Sequence, residues 1–239
     1  MFATGTVMSC SAKIQYPTKT VLTDSGDEVR FTMISHGSIS IDYKGVSIQV
    51  DPVWKNGDKE VDYTVFPDAD IILITHEHGD HLCEQTIGML SGPKTKIFIN
   101  KAGFEKLGKG QILRNGDSLE LVKGIKIKAV PAYNTTEGRE RFHAKGNGNG
   151  YLLEIDGLNI YISGDTEDIE EMTALKDIDV AFIAANQPYT MTVEQCIDAA
   201  RIIRPRILIP YHLSDTDAYA IKEGLSLTDI EVLLYEDLR

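Results

Sequence analysis

Cysteine is scarce in this chain, whose 239 residues include three cysteines, Cys10, Cys83 and Cys196. Their number is odd, they are widely spaced and none belongs to a Cys-x-x-Cys pair. The sequence therefore indicates neither a disulfide framework nor a zinc site built from thiolates. We expect all three to be reduced and structural, including Cys83, which lies close behind a histidine-rich run.

Long apolar stretches are also missing. No segment approaches the roughly 20 apolar residues that span a bilayer, so we expect no transmembrane helix and no membrane partner. The first ten residues, MFATGTVMSC, are similar to the end of a lipoprotein signal, but they lack a basic start and a long apolar run. We expect a cytoplasmic protein with a peripheral or frayed segment over about residues 1–25. Export as a lipoprotein is the alternative if the N-terminus is truncated.

Basic residues are outnumbered, with 24 lysines and arginines against 36 aspartates and glutamates and a net charge of −12. Such a surface repels polyanions, which argues against broad-face binding to nucleic acid or to an anionic membrane. We therefore expect a small-molecule substrate and no nucleic-acid partner. The oligomeric state stays open, with a homo-oligomer as one option.

Short β-branched runs and helical segments alternate along the chain. With 239 residues and 42% hydrophobic content, we expect one α/β domain over residues 1–239. Strands are predicted at residues 29–34, 38–43, 46–50, 71–74, 96–99, 125–130, 151–155, 159–162, 180–183 and 207–209. Helices are predicted at residues 82–90, 102–107, 169–175, 193–203 and 216–222.

Turn and cap signals organise these elements. Lys44-Gly45 and Asp156-Gly157 lie between alternating runs and predict hairpin turns, hence antiparallel pairs. Thr192 and Gln195 have the spacing of a capping box at the start of a helix. Hairpins followed by strand and helix pairs recur around residues 29–90 and 151–203. We therefore expect two similar layers packed face to face in a four-layer αββα sandwich.

The clearest chemical signal is the run Thr75-His76-Glu77-His78-Gly79-Asp80-His81, which follows an apolar strand and opens a helix. The chain has six histidines, so chance is a poor explanation for three of them at this spacing. Imidazole and carboxylate groups suit zinc and similar ions, and a strand end can aim His76 and His78 at one ion. Asp80 and His81, beyond the bend, can face a second ion. The alternative is a solvated cluster at a helix N-terminus, where the helix dipole disfavours protonated imidazoles.

A second signal is Asp165, which follows the predicted strand 159–162 in a Gly-Asp step and is a candidate to bridge two cations. The alternative is a helix N-cap for residues 169–175. A two-metal site needs bridging oxygens between ions about 3.5–4 Å apart, which a carboxylate provides. The other histidines, His36, His143 and His212, lie beside turns or strand ends rather than within helices.

This ordered set resembles the metallo-β-lactamase superfamily over nearly the whole chain, through His76, His78, Asp80, His81, a later histidine, Gly164-Asp165 and His212. Three shorter motifs are similar to the lactonase-like branch of small bacterial metal-dependent hydrolases, namely His36-Gly37-Ser38, Val50-Asp51-Pro52 and Tyr189-Thr190-Met191-Thr192. The resemblance implies the four-layer αββα sandwich. It also implies two divalent metal ions, with zinc as the first choice and manganese, nickel or iron as alternatives.

The resemblance implies roles for individual residues. The first ion would be held by His76, His78 and His143, and the second by Asp80, His81 and His212, with Asp165 bridging. His143 departs from the family pattern, in which the histidine directly follows a strand that here continues into Ala132-Tyr133-Asn134. The loop 135–145 must therefore fold back over the site.

Two further residues have open roles. Asp51 is similar to a family aspartate that supports the metal ligands, with an ordinary Asp-Pro turn as an equal alternative. His36 is a candidate to contact substrate or to support a ligand, with a hydrogen-bonded hairpin histidine as the alternative.

The implied activity is metal-dependent hydrolysis of a small ester, lactone or phosphoester by a metal-bridging hydroxide, with Asp80 and His36 as candidate catalytic residues. An iron-dependent, oxygenase-like redox enzyme on the same fold is the alternative, although a single-iron site would not need the second set of ligands. A metal-binding protein without turnover is a third class and would typically lack a ligand that this chain keeps. Loops 55–65 and 135–150 are candidates to enclose a substrate.

Overall fold

This computed structural model describes residues 15–122 and 124–239, so Cys10 and the lipoprotein-like start lie outside the described residues. In chain order the strands are β1 (Thr18–Leu22), β2 (Glu28–Ser35), β3 (Ser38–Tyr43), β4 (Val46–Val50), β5 (Lys55–Asn56), β6 (Lys59–Glu60), β7 (Ala69–Ile74), β8 (Ser91–Ile99), β9 (Gln111–Ile112), β10 (Ser118–Val122), β11 (Ile125–Ala132), β12 (Gly148–Ile155), β13 (Leu158–Ile162), β14 (Val180–Ala184), β15 (Ile207–Tyr211) and β16 (Glu231–Val232). The α-helices are α1 (Glu84–Leu90), α2 (Lys101–Leu107), α3 (Val193–Ile203) and α4 (Ala218–Gly224). Shorter 3-10 helices cover Tyr63–Val65, Glu170–Ala174 and Glu236–Leu238.

Within the described residues, fourteen of the sixteen strands form two seven-stranded sheets with the same topology, and β5 pairs with β6 in a separate two-stranded sheet. The first has the order β1-β2-β3-β4-β7-β8-β9 and the second the order β10-β11-β12-β13-β14-β15-β16. In each sheet the first three strand pairs are antiparallel and the last three are parallel. The two similar layers predicted from the sequence are therefore confirmed.

The predicted hairpin turns join antiparallel strands in both sheets. Lys44 and Gly45 connect β3 to β4, and Asp156 and Gly157 connect β12 to β13. All four residues have positive φ, between 47° and 83°. Two consecutive residues with positive φ make the type I′ turn, whose twist matches that of the flanking strands.

The largest apolar core lies between the two sheets. In β2, Val29 and Phe31 are fully buried while their neighbours Glu28 and Arg30 are exposed, so alternate side chains enter the core. The ring of Phe31 packs against Phe182 of the second sheet, with centroids 5.7 Å apart. Helices α1 and α2 cover the outer face of the first sheet, and α3 and α4 cover that of the second. The four-layer αββα sandwich is therefore confirmed.

Helix α3 begins and ends where the sequence predicts. The Thr192 hydroxyl accepts from the Gln195 N–H at 3.1 Å, and the Gln195 side-chain oxygen accepts from the Thr192 N–H at 3.0 Å. This capping box satisfies two amide groups that the helix itself cannot. The buried side chains recur at helical spacing on the face toward the sheet, namely Cys196, Ala199, Ala200 and Ile203. No helix of residues 15–122 and 124–239 is long and apolar enough to cross a membrane.

Three other predicted helices differ from the structure. Helix α1 begins at Glu84 rather than at residue 82, because the Leu82 N–H bonds to the His78 carbonyl in a preceding turn. Helix α4 begins at Ala218 rather than at residue 216, because the Asp217 carboxylate caps its first amides. The predicted helix 169–175 is a 3-10 helix that starts after Ile169, so Asp165 is not its N-cap.

The N-terminal segment predicted as peripheral or frayed contains an ordered strand. β1 pairs antiparallel with β2 at the outer edge of the first sheet, and Val21 lies opposite Val29. Val21 is buried, whereas Thr20 and Leu22 on either side of it are exposed. The segment is therefore peripheral but not frayed over Thr18–Leu22, and residues 1–14 lie outside the described residues.

Candidate metal centre

The candidate ligands lie at one edge of the sandwich, directly after strands or in turns between them. One residue separates the end of β7 from His76, and His212 comes directly after β15. Asp165 follows β13, and His36 lies in the turn between β2 and β3. Because these strand ends meet at the same edge, side chains that are distant in sequence converge there.

The first group of converging side chains is His76, His78 and His143. One nitrogen of each lies within 4.8 Å of the others. His143 Nε2 is 3.3 Å from His78 Nδ1, and the His76 and His143 rings meet edge to face with centroids 5.0 Å apart. The loop that precedes β12 therefore does fold back, and it brings His143 to the place that the resemblance implies.

The second group is His36, Asp80 and His212, whose ligand atoms also lie within 4.8 Å of one another. Asp80 Oδ2 is 3.4 Å from His212 Nε2 and 3.5 Å from His36 Nε2. The rings of His36 and His212 are 3.7 Å apart at their centroids. The resemblance implies Asp80, His81 and His212 as the second set of ligands. In the structure His36 takes the place of His81 in this group.

His81 and Asp165 lie between the two groups. His81 Nε2 is 3.3 Å from Asp165 Oδ1 and 3.8 Å from Asp80 Oδ2. The other oxygen, Asp165 Oδ2, is 3.3 Å from His143 Nε2 and 3.5 Å from His212 Nε2. One carboxylate thus reaches both groups, which is the geometry expected of a bridging ligand.

Several buried nitrogen and oxygen atoms at this centre have no hydrogen-bond partner among the residues that the structure describes. They are His76 Nε2, His81 Nε2, His212 Nε2 and Asp165 Oδ1. Leaving one such group unsatisfied costs about 1–3 kcal/mol, so four that converge need a common explanation. Imidazole nitrogens and carboxylate oxygens are the ligands that zinc and other divalent transition metals take. The residues present therefore fit divalent metal ions.

The far side of two ligand rings is held by one buried hydrogen-bond network. Asp51 Oδ2 lies 2.8 Å from His81 Nδ1 and accepts from the Thr75 hydroxyl at 2.6 Å. The same hydroxyl is 3.0 Å from His76 Nδ1, and the Thr75 N–H donates to Asp51 Oδ1 at 2.8 Å. These contacts favour the supporting role of Asp51 over an ordinary turn, because they orient the rings and leave Nε2 of each free.

The imidazoles differ in how readily they take a proton. Burial lowers the pKa of His76 well below its ordinary value and also lowers that of His143. Both rings are therefore neutral near pH 7, the form that binds metals. Burial would lower the pKa of His81 as well, but the charges of Asp165 and Asp51 outweigh it and raise that pKa. The centre of the cluster therefore favours positive charge.

The two carboxylates are ionised. Burial would raise the pKa of Asp165, but the neighbouring His212 and His81 outweigh it and hold the pKa well below its ordinary value. Burial acts on Asp80 in the same direction, and contacts from His212 and His36 lower its pKa instead. Two negative charges among imidazoles make a site that attracts cations.

A cleft of about 470 Å³ opens onto these groups. Beyond the candidate ligands, its walls include Asn56, Phe142, Asn186, Tyr189 and Ser214. Phe142 and Tyr189 pack edge to face with centroids 4.9 Å apart, and 46% of Tyr189 is exposed. A larger cavity of about 930 Å³ contains none of the candidate ligands in its lining, which holds three arginines and four aspartates. The cleft of about 470 Å³ is therefore the one lined by candidate ligands of both groups.

A family model of the beta-lactamase superfamily domain matches residues 30–212 of this chain. The matched stretch runs from β2 to His212 and includes the candidate ligands of both groups. The chain belongs to the metallo-β-lactamase superfamily. The resemblance carried by the histidine and aspartate motifs is therefore confirmed.

Relatives within the superfamily are named as metal-dependent hydrolases. A UPF0173 metal-dependent hydrolase of Methanopyrus kandleri is 28% identical over 228 residues, which cover 87% of this chain and 97% of the relative. A structure from Parabacteroides distasonis, assigned as a metal-dependent hydrolase, is 50% identical with a TM-score of 0.89 and covers 93% of this chain and 99% of that one. A metallo hydrolase of Ignicoccus hospitalis is 22% identical with a TM-score of 0.70, covering 88% and 96% of the two chains, and shares the fold. The chain is therefore a metal-dependent hydrolase of this superfamily.

Superfamily motifs predict the candidate ligands and one group that orients them, Asp51, but not the other orienting groups. Sequence reasoning missed Thr75, although it directly precedes His76, and Glu167, which follows Asp165 by two positions. It could not find the Tyr189 carbonyl, which lies 3.1 Å from His143 Nδ1, because every residue carries such an oxygen. Cys83 is partly exposed just before α1 and lies outside the ligand groups found among the described residues.

Proposed function

We propose that the chain is a binuclear metal-dependent hydrolase that acts on a small ester, lactone or phosphoester through a metal-bridging hydroxide. The observation that carries this proposal is the position of Asp165, whose two oxygens lie within 3.5 Å of His81, His143 and His212. A carboxylate shared between two groups of ligands suits two ions and not one. Zinc is the first choice, because nitrogen and oxygen ligands of this kind suit it.

Each residue of the candidate metal centre has a proposed role. His76, His78 and His143 would hold one ion, and His212, Asp80 and His81 the other, with His36 as a further donor beside Asp80. Two ions held there would supply a water of strongly lowered pKa and would polarise the scissile bond. Asp80 is partly exposed at the cleft, so its carboxylate can accept a hydrogen bond from the nucleophile and orient it.

The cleft favours a small, uncharged substrate. Within residues 15–122 and 124–239, its lining holds no lysine or arginine, and the non-ligand walls are amide, hydroxyl and aromatic groups. An ester or lactone with an apolar portion fits this lining better than a phosphoester does, because a phosphoester commonly needs cationic side chains as well as metal. The net charge of −12 likewise favours a small-molecule substrate over nucleic acid.

The test is turnover of a panel of lactones, carboxylic esters, phosphodiesters, thioesters and β-lactams. The metal-free chain should be inactive, and addition of zinc or manganese should restore turnover of a lactone or ester. Asp80→Ala should lower kcat by about two to four orders of magnitude at matched metal content, the range seen for general acid–base groups. The absence of metal-dependent turnover across the panel would overturn the proposal. Bound iron together with oxygen uptake would favour the redox alternative.

A further inference from the structure

The residues that carry His143 to the metal centre form a loop between β11 and β12. One backbone hydrogen bond closes its base, from the Asn134 N–H to the His143 carbonyl at 2.9 Å. The side chains of residues 135–138 are exposed, so this part of the loop has little apolar packing to hold its shape. Polar contacts must therefore fix the loop, and a group outside it is needed beside the Asn134 side chain, which donates to the Arg139 and Tyr189 carbonyls at 3.3 and 2.7 Å.

Glu167 supplies that group from outside the loop. Its carboxylate is fully buried, and Oε2 accepts from the N–H groups of Thr135 and Thr136 at 2.7 and 2.6 Å and from the Thr135 hydroxyl at 3.0 Å. Its other oxygen, Oε1, is 3.2 Å from Arg139 Nη1. The Glu167 N–H in turn donates to the Tyr133 carbonyl at 3.0 Å. The Glu167 carboxylate therefore binds Thr135, Thr136 and Arg139 of the loop, and the Glu167 N–H ties this residue to the chain just after β11.

Glu167 also lies two residues after Asp165. The segment Asp165–Glu167 thus supplies two carboxylates. Asp165 is shared between the two groups of candidate ligands, and Glu167 anchors the loop that carries His143. At the far end of the loop, His143 Nδ1 is 3.1 Å from the Tyr189 carbonyl, which sets the tautomer and leaves Nε2 free. That Nε2 lies 3.3 Å from both His78 Nδ1 and Asp165 Oδ2.

We infer that Glu167 is a positioning residue for His143: it anchors the loop 134–143 and thereby completes the first group of ligands. The inference rests on the proposed metal function. It accounts for how a histidine displaced from the strand end, where this chain has Asn134, still reaches the centre. Glu167 acts through the loop, because its own oxygens are occupied by loop donors and do not face the ligand cluster.

The first experiment measures stepwise zinc affinities of the whole chain by competition with a chromogenic chelator. Glu167→Ala should weaken one of the two zinc affinities by about 10–100-fold and leave the other within a few-fold, because only the first group depends on the loop. Glu167→Gln should lose less, since its amide oxygen still accepts from Thr135 and Thr136 while its NH₂ cannot accept from Arg139. Glu137→Ala is the matched control, because it removes the same charge from an exposed position within the loop.

The second experiment reports on the loop without metal. In the metal-free chain, trypsin should cut after Arg139 and Arg141 faster in Glu167→Ala than in the parent or in Glu137→Ala. Glu167→Gln serves in both experiments if Glu167→Ala does not fold. Unchanged cleavage, or faster cleavage with both zinc affinities unchanged, would overturn the inference. A parent that binds no zinc would overturn the proposed function and with it the role of Glu167 toward a ligand, whereas the cleavage rates would still report on the anchor.

Discussion

At the scale of single residues, the candidate metal centre depends on which ring nitrogen of each histidine lies next to a hydrogen-bonding oxygen on the side away from the cluster. His76, His81 and His143 each place Nδ1 next to an oxygen, at 3.0, 2.8 and 3.1 Å. A neutral imidazole that donates from Nδ1 has its acceptor lone pair on Nε2. His76 and His143, whose lowered pKa keeps them neutral, are therefore set in the tautomer that a metal needs, whereas His81, whose pKa is raised, must lose its Nε2 proton when an ion binds.

Thr75→Val tests this arrangement because valine keeps the shape of threonine and removes the hydroxyl. The hydroxyl links Asp51 to His76, so its loss should leave His76 free to adopt either tautomer. We expect metal affinity to fall by about tenfold and the free energy of unfolding by roughly 1–3 kcal/mol. Chelator competition and urea unfolding measure the two effects. An unchanged metal affinity would contradict the role assigned to Thr75, and Thr173→Val, at an exposed threonine, is the control.

The residues that converge at the candidate metal centre could be named from the sequence because a chain with six histidines leaves few candidates. His143 followed by elimination, since the position after the strand holds Asn134. The grouping of His36 with Asp80 could not be predicted, because it depends on how the β2–β3 turn faces the other sheet. Glu167 gave no signal either, since an acidic residue near a strand end is common on any surface.

At the scale of elements, the site depends on how each strand turns as it ends. Gly164 follows β13 with φ of 61°, and a Cβ there would lie 2.6 Å from the Asn149 carbonyl oxygen. It would also lie 3.2 Å from Thr75 Cβ. Only glycine therefore allows β13 to approach β12 this closely and still aim Asp165 at the cluster.

Gly164→Ala should consequently lower both stability and metal binding. The positive φ alone costs about 1–3 kcal/mol for a residue with a side chain, and the backbone contact adds to it. Gly116→Ala is the matched control, because Gly116 also has a positive φ of 96° but open space around its Cβ. Urea unfolding and metal titration should show a larger loss for Gly164→Ala in both measurements. Equal losses in the two variants would mean that the close approach to Asn149 is not required.

Elements with strong local signals were predicted well, and weakly patterned ones were missed. Helix α3 carries its own capping box, and the two hairpins carry Lys-Gly and Asp-Gly turns, so local chemistry decides them. β1 and β10 were missed because they are short and partly exposed, and they are strands only through pairing with a neighbour. The start of α4 shifted because two residues, Thr216 and Asp217, are both good caps and the structure uses Asp217.

At the scale of the whole molecule, the apolar core and the metal centre are separate. The core lies between the two sheets, whereas the ligands lie at one edge on strand ends and turns. The sandwich therefore does not need metal to bury its apolar side chains. Two sheets of the same topology meet there, so each contributes ligands to a centre that neither forms alone.

Removal of the metal should lower thermal stability without unfolding the chain. A ligand present at a thousand times its Kd stabilises the native state by about 4 kcal/mol, which for a chain of this size raises Tm by roughly 10 °C. Calorimetry with and without a chelator measures the difference, and far-ultraviolet circular dichroism should stay the same. Loss of the sheet signal in the metal-free chain would contradict the separation of core and centre.

The central claim is that this edge of the sandwich holds two ions. The most direct measurement is the number of metal ions per chain, by elemental analysis, in the parent and in His143→Ala and His212→Ala. The account predicts two ions in the parent and the loss of one in each variant, because the two histidines belong to different groups. One ion in the parent, or an unchanged count in both variants, would contradict it.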